Sequence, residues 1–195
     1  MNYQNKHLKE IVVKEGIFGG YSFRGKVENE KDGNVFVVQM KDLSNYYSKI
    51  EDTLMQIKGE RIKNKYYLQK EDILFIAKGA NNYALVYDLD FPAVVASSAF
   101  FVIRINRVIA NPYFVAWYIN QRKVQQFLKE NMAGTYIPNI NINTVKEMKI
   151  RIPLLEEQNR IVKLNQLMQR EQEIISTVKD KRQILLKTIL CNQLK

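Results

Sequence analysis

From Pro153 to the final residue, Lys195, the sequence contains no further glycine or proline, and this stretch constrains the fold more than any other. Apolar residues recur at Ile161, Leu164, Met168, Ile175, Val178, Leu185 and Ile189, in steps of 3, 4, 7, 3, 7 and 4. That is the a/d spacing of a coiled coil. One helix over residues 154–195 would be roughly 60 Å long at ~1.5 Å rise per residue, too long to fold back on a domain built from residues 1–153. The spacing therefore predicts a projecting rod whose apolar stripe needs a partner helix. Glu171 and Arg182 fall where the stripe calls for apolar side chains. In an antiparallel pair they either face each other and fix the register or snorkel at the edge of the interface.

The part before the rod has a different grammar. Residues 1–34 hold five of the eight glycines, Gly16, Gly19, Gly20, Gly25 and Gly33. This segment reads as a loose N-terminus, a short strand at Ile11–Val13 and a turn-rich loop. Runs at 34–40 (NVFVVQM), 73–77 (ILFIA), 83–87, 93–105 and 148–152 predict strands. Asn111-Pro112 has the form of a helix N-cap followed by proline at the first helical position. The expected helix runs to about Asn131, with Phe114, Trp117, Tyr118, Val124, Phe127 and Leu128 inward, and Gly134 ends that region. Asn143-Thr144 is expected to cap a short turn. The outcome is an α+β fold: a mixed-sheet domain over residues 1–153 and one long C-terminal coiled-coil helix over residues 154–195.

The formal net charge is +10, and most of the surplus lies before Leu154. A basic excess of that size suits a polyanion, of which nucleic acid is the commonest; a Lys-rich codon bias is the plainer explanation. With one cysteine, Cys191, and one histidine, His7, no internal disulfide and no Cys/His metal cluster can form. The longest apolar run, Phe91–Ile103, is too short to span a bilayer, and no signal peptide is evident. A reducing, cytoplasmic location is expected.

Enzymatic signatures are weak. The segment GIFGGYSFRG lacks the glycine spacing of a nucleotide-binding turn. Asn111-Pro112-Tyr113-Phe114 has one proline where the Asn-Pro-Pro-Tyr motif of amino-methyltransferases has two, and helix initiation already explains it. Glu147-Met148-Lys149 echoes a nuclease signature at a frequency chance supplies in a lysine-rich chain. No Walker loop, Ser/His/Asp set or HExxH occurs. A non-catalytic chain without a cofactor is expected.

Five blocks in order point to a family. They are Val37–Leu43 (VVQMKDL), Tyr67–Gly79 (YLQKEDILFIAKG), Asn111–Asn120 (NPYFVAWYIN), Gly134–Ile140 (GTYIPNI) and Met148–Val162 (MKIRIPLLEEQNRIV). The chain resembles the specificity (S) subunit of Type I restriction–modification systems, and the last block resembles that family's junction between recognition domain and conserved helix. The family usually carries two recognition domains and two such helices; here there is one of each, and the junction has one proline where the family often has more.

The resemblance implies that the domain reads one half of a split DNA site, and that paired helices set the distance between halves and dock the modification (adenine methyltransferase) subunits, and through them the restriction subunit. A half-length chain would rebuild that layout as a two-fold homodimer. Identical heads at opposite ends of an antiparallel pair would read an inverted repeat with a nonspecific spacer. At ~3.4 Å per base-pair step a helix of this length caps the separation near 17 steps, with overlap shortening it.

Under this reading Arg24 and Lys26 are candidates for phosphate contact. Lys41, Lys78, Asn81, Asn82, Tyr83, Thr135, Tyr136 and Asn139 have donor and acceptor types used on base edges and backbone. Each has a plain alternative: Asn81-Asn82 is ordinary turn chemistry, Tyr136 packs, Lys78 is solvated, and Tyr46 and Tyr47 are core or rim aromatics. Two other functional readings stand beside the leading one. One is a recognition domain of a Type IIB or IIG system or a silent specificity cassette; the other is a coiled-coil scaffold that does not bind DNA.

Overall fold

A computed structural model of the chain describes residues 3–44, 49–79, 81–133 and 138–193. Nine strands and four helices are assigned among these residues: β1 (Tyr3–His7), β2 (Val12–Gly19), β3 (Val35–Val38), β4 (Met55–Ile57), β5 (Ile73–Ile76), β6 (Ala84–Val86), β7 (Val94–Ala96), β8 (Phe100–Ile105), α1 (Pro112–Ile119), α2 (Arg122–Glu130), α3 (Ile142–Lys146), β9 (Lys149–Pro153) and α4 (Leu155–Gln193). The α+β class with a long C-terminal helix agrees with the sequence expectation. No helix among the described residues is long and apolar enough to cross a membrane.

The central sheet has the order β2-β8-β5-β6 and is antiparallel throughout. All four residues of β5 are buried, because the strand is covered on both faces. Ile73 and Phe75 join the cluster that includes Phe114, Ile119 and Leu128 of the helices. Leu74 and Ile76 join the cluster that includes Val38, Val94 and Ala96. This explains why the strand reads as a continuous apolar run rather than an alternation. The second sheet, β4-β3-β7, is mixed, with β3 parallel to β7 and antiparallel to β4. A smaller cluster of Val35, Val37, Ile57 and Val95 lies on its other side.

The structure corrects several sequence expectations. The N-terminus is not loose: β1 pairs with β9, Tyr3 opposite Pro153 and His7 opposite Lys149. His7 Nδ1 lies 2.9 Å from the Glu147 carbonyl, and Lys9 Nζ donates to the Glu147 carboxylate at 2.6 Å. Strand β2 is longer than expected and carries a bulge against β8 between Val12 and Ile17. Glu15 has φ 56° there, and a Cβ at Gly16 would stand 2.8 Å from the Arg104 carbonyl oxygen. The run 93–105 is two strands, because Ser97 turns the chain: its N–H donates to the Val38 carbonyl and its carbonyl accepts from Phe100 N–H.

The helix expected from Pro112 to Asn131 breaks at Asn120–Gln121. The Asn120 side chain explains the break. Its Oδ1 accepts from Ala84 N–H at 2.8 Å and its Nδ2 donates to the Ala84 carbonyl at 2.7 Å, so a side-chain amide occupies the open edge of β6. Gln125 Nε2 then bridges the break, donating to the Ile119 and Asn82 carbonyls. Phe127, expected inward, is 37% exposed. The short turn is α3, capped earlier than expected, by Asn141.

One ion pair is buried beside the sheet. Arg104 donates to Asp72 through Nε (2.8 Å) and Nη2 (2.7 Å), and Nη2 also reaches the Tyr67 carbonyl. Asp72 Oδ2 accepts the Gln69 N–H as well. The forked geometry and the added backbone donor satisfy the carboxylate away from water.

Candidate nucleic-acid interface

The root of the long helix aims the rod. Pro153 ends β9 and Leu155 begins α4. Gln158 is fully buried. Its Oε1 accepts the Asn111 N–H at 2.8 Å, and its Nε2 donates to the Pro153 carbonyl at 2.9 Å and toward the Ile109 carbonyl at 3.4 Å. Asn111 in turn caps α1 through Tyr113 N–H and donates its amide to Asn159. The Glu-Gln pair of the junction motif thus has a mechanical reading: the glutamine amide stitches two chain segments to the first turn of α4. Val162 is buried, and Ile161 packs against the same core. Ile161 therefore serves the root rather than a free stripe. Beyond it the stripe residues Leu164, Met168, Ile175, Val178, Leu185 and Ile189 are 44–62% exposed.

The polar loops predicted to meet DNA collect at the end of the central sheet where β2 and β5 finish and β8 begins. Lys78 forms an isolated antiparallel bridge with Asn139, and Asn139 another with Ala133. Gly79, at φ +107°, donates its N–H to the Pro138 carbonyl, and Ile140 N–H donates to the Ala77 carbonyl. Lys78 Nζ reaches Ser98 Oγ at 3.4 Å. Asn81 is exposed beside this junction in sequence. The Ser97–Ser98 turn connects it to the glycine-rich loop, because Tyr21 pairs with Ser97 and its N–H donates to the Ala96 carbonyl. Tyr21 packs edge-on against Phe23 and Tyr66, with centroids at 4.8 and 5.4 Å. Tyr21 and Phe23 line a hollow of about 610 Å³ in which Arg24, Lys26, Lys58 and Arg61 alternate with Glu28, Glu30 and Glu60.

So Lys78 and Asn139 are brought together, and Arg24 and Lys26 share a second rim, of mixed charge, joined to them through Tyr21 and Ser97. Lys41 stands apart, on the turn after β3, with Nζ 3.0 Å from Met55 Sδ. Thr135 and Tyr136, with Tyr46 and Tyr47, lie outside the described residues. Two candidates serve the scaffold. Asn82 is 2% exposed and its Nδ2 donates to the Ile76 carbonyl at 2.9 Å. Tyr83 packs on the second core cluster. Sequence reasoning missed Lys58, Arg61, Lys65 over the Tyr66 ring at 5.1 Å, and Ser98. The basic run 58–65 (KGERIKNK) was the available signal.

A polar, loop-built edge and a rooted apolar rod in one chain agree with the sequence match that decides the family. The sequence model of the Type I restriction modification DNA specificity domain matches residues 1–181. The chain belongs to that family. Comparison with proteins of curated description returns no match.

Among solved structures, this specificity domain is similar to the HsdS subunit from Thermoanaerobacter tengcongensis, at 23% identity and TM-score 0.63 over 88% of this chain and 43% of that one. It is also similar to the Type I restriction–modification S subunit from M. genitalium, at 15% identity and TM-score 0.61, covering 91% and 41%. A third match is to a chain from a study of complex assembly and conformational transition of the type I R-M system, at 20% identity and TM-score 0.62, covering 88% and 43%. At these identities the likeness concerns the fold. The specificity domain described here spans about two fifths of each of those chains.

Proposed function

We propose that this chain is the DNA-reading component of a Type I restriction–modification assembly, without catalysis of its own, acting in the cytoplasm. Residues 1–153 read one half of a split site. Residues 154–195 form the spacer: α4 pairs antiparallel with a second copy, and the pair docks the adenine methyltransferase subunits and, through them, the restriction subunit. The observation that carries this reading is the rod itself. Its first two turns are locked to the domain by Gln158 and Val162, while six apolar stripe residues beyond them remain open to solvent. An apolar face of that length on a rooted helix calls for a partner helix.

On the reading side, Arg24, Lys26, Lys58, Arg61 and Lys78 contact phosphates, and Asn81 and Asn139 meet base edges; the exposure of Asn81 and Asn139 supports this. A two-fold pair of identical heads reads an inverted repeat interrupted by a spacer.

The test is the methylome of the host with and without this gene. Loss of one split-palindrome methylated motif on deletion is the expected result. An unchanged set of modified motifs would overturn the reading.

A further inference from the structure

The stripe along α4 has an internal symmetry that its apolar content alone does not require. Beyond the root, counting every position, it runs Leu164, Met168, Glu171, Ile175, Val178, Arg182, Leu185, Ile189, in unbroken alternating steps of 4 and 3. Such a series reads the same from either end. Reflected about the point between Ser176 and Thr177, Ile175 falls on Val178, Met168 on Leu185 and Leu164 on Ile189. The two charged positions, Glu171 and Arg182, fall on each other. The ion pairs within α4 are Arg160–Glu156 and Arg170–Glu173; Glu171 and Arg182 belong to neither, and both are exposed.

We propose that two copies of α4 pair antiparallel about a two-fold axis between Ser176 and Thr177, with Glu171 of each copy against Arg182 of the other selecting this register. The proposal rests on the antiparallel self-pairing of the proposed function and adds its alignment. Competing alignments each misplace the charges. Sliding one copy by a heptad sets Glu171 against Ile189 and Arg182 against Val178. Sliding the other way sets Glu171 against Ile175 and Arg182 against Leu164. A parallel pair sets glutamate on glutamate and arginine on arginine. Only the reflected register matches apolar with apolar and opposite charges with each other, twice by symmetry. A polar group at a core position gives up some affinity and gains a unique alignment. The face is open where the partner's Ile189 would seat, since Leu164 is 62% exposed just beyond the root.

The full chain tests this directly, by sedimentation velocity over a range of concentrations. Glu171→Arg and Arg182→Glu, each alone, bring like charges together twice in the dimer and should weaken self-association on the order of tenfold or more. The double variant E171R/R182E restores opposite pairing and should return to about the wild-type affinity. A second measurement needs no affinity change. In a Cys191→Ser background, an equimolar mixture of Leu164→Cys and Ile189→Cys chains treated with a short bis-maleimide, which adds one thiol of each chain across its two double bonds, should yield a covalent dimer, and neither chain should do so alone.

The outcomes separate the two claims. A wild-type chain that stays monomeric at every concentration overturns the self-pairing, and the register with it. A dimer indifferent to the single charge reversals, unrescued by the double, or linked through Leu164→Cys alone, overturns the register and leaves self-pairing standing.

Discussion

At the scale of single residues, amides carry much of the architecture. Gln158 satisfies an N–H and a carbonyl from two segments, so Gln158→Ala should leave both buried and unpaired, at a cost of about 2 kcal/mol. Chemical denaturation measures it, with the loss expected as a lower midpoint. Asn82 and Asn139 make a contrasting pair. Asn82→Ala should lower stability by about 1 kcal/mol and leave DNA preference unchanged, whereas Asn139→Ala should relax preference at one base pair of the site. A selection of bound sequences from random DNA distinguishes them. Asparagine chemistry was legible in the sequence, but its direction was not: whether an amide faces the Ile76 carbonyl or solvent depends on a strand six residues away.

Folding lowers the proton affinity of Glu147. The Lys9 hydrogen bond, with the charges of Lys9 and His7, holds its carboxyl below the ordinary carboxylate range. The folded chain therefore binds that proton less readily than the unfolded one. The contribution is complete above the ordinary value of about 4.3 and is lost as pH falls through the lower folded value. Melting temperatures of wild type and Glu147→Gln should accordingly differ at pH 7, and the difference should shrink as pH falls below the ordinary carboxylate range. His7 was expected in a loose terminus, because nothing in the first seven residues announces a partner strand more than a hundred residues away.

At the scale of elements, legibility followed burial pattern. β5 announced itself because both of its faces are covered, and α4 because nothing interrupts its 3-and-4 spacing. The α1–α2 break did not. Trp117–Asn120 is compatible with a continuing helix, and the break is imposed by the Ala84 main chain, which Asn120 pairs as a neighbouring strand would. Asn120→Ala should cost about 2 kcal/mol for the two hydrogen bonds it removes. It should also expose the β6 edge, which light scattering would register as aggregation at concentrations where the wild type stays clear. The Arg104–Asp72 pair ties β8 to the turn before β5. Asp72→Ala, which strands a partly buried guanidinium, should cost about 3 kcal/mol by denaturant midpoint.

At the scale of the whole molecule, DNA affinity and helix pairing make separable predictions. Removing Lys78 or Arg24 should weaken binding to all sequences alike. It should also flatten the plot of log affinity against log salt by about 0.9 for each phosphate no longer neutralised. Filter binding at several salt concentrations reads the slope. The register proposed for α4 also sets a length. The two helix starts would lie about 43 residue rises apart, roughly 65 Å at ~1.5 Å each, or about 19 base-pair steps at ~3.4 Å. Staggering makes the pair longer than one helix, so the limit of about 17 steps drawn from a single helix is passed. The sequence carried this information in the rod; the reading loops, built from segments distant along the chain, became a surface only once folded.

Under the proposed function, the joint at Gln158 bears on how the target could change. Three of its bonds go to main-chain groups, at Asn111, Pro153 and Ile109, and every residue type except proline offers the donor while all offer the acceptor. These three bonds therefore place little demand on the composition of the head; the apolar seat of Ile161 and Val162 is what a new head must still supply. Loops can diverge, or an entire head be exchanged by recombination just ahead of the helix, without re-aiming the rod. New specificity then arrives with the old measuring distance already in place.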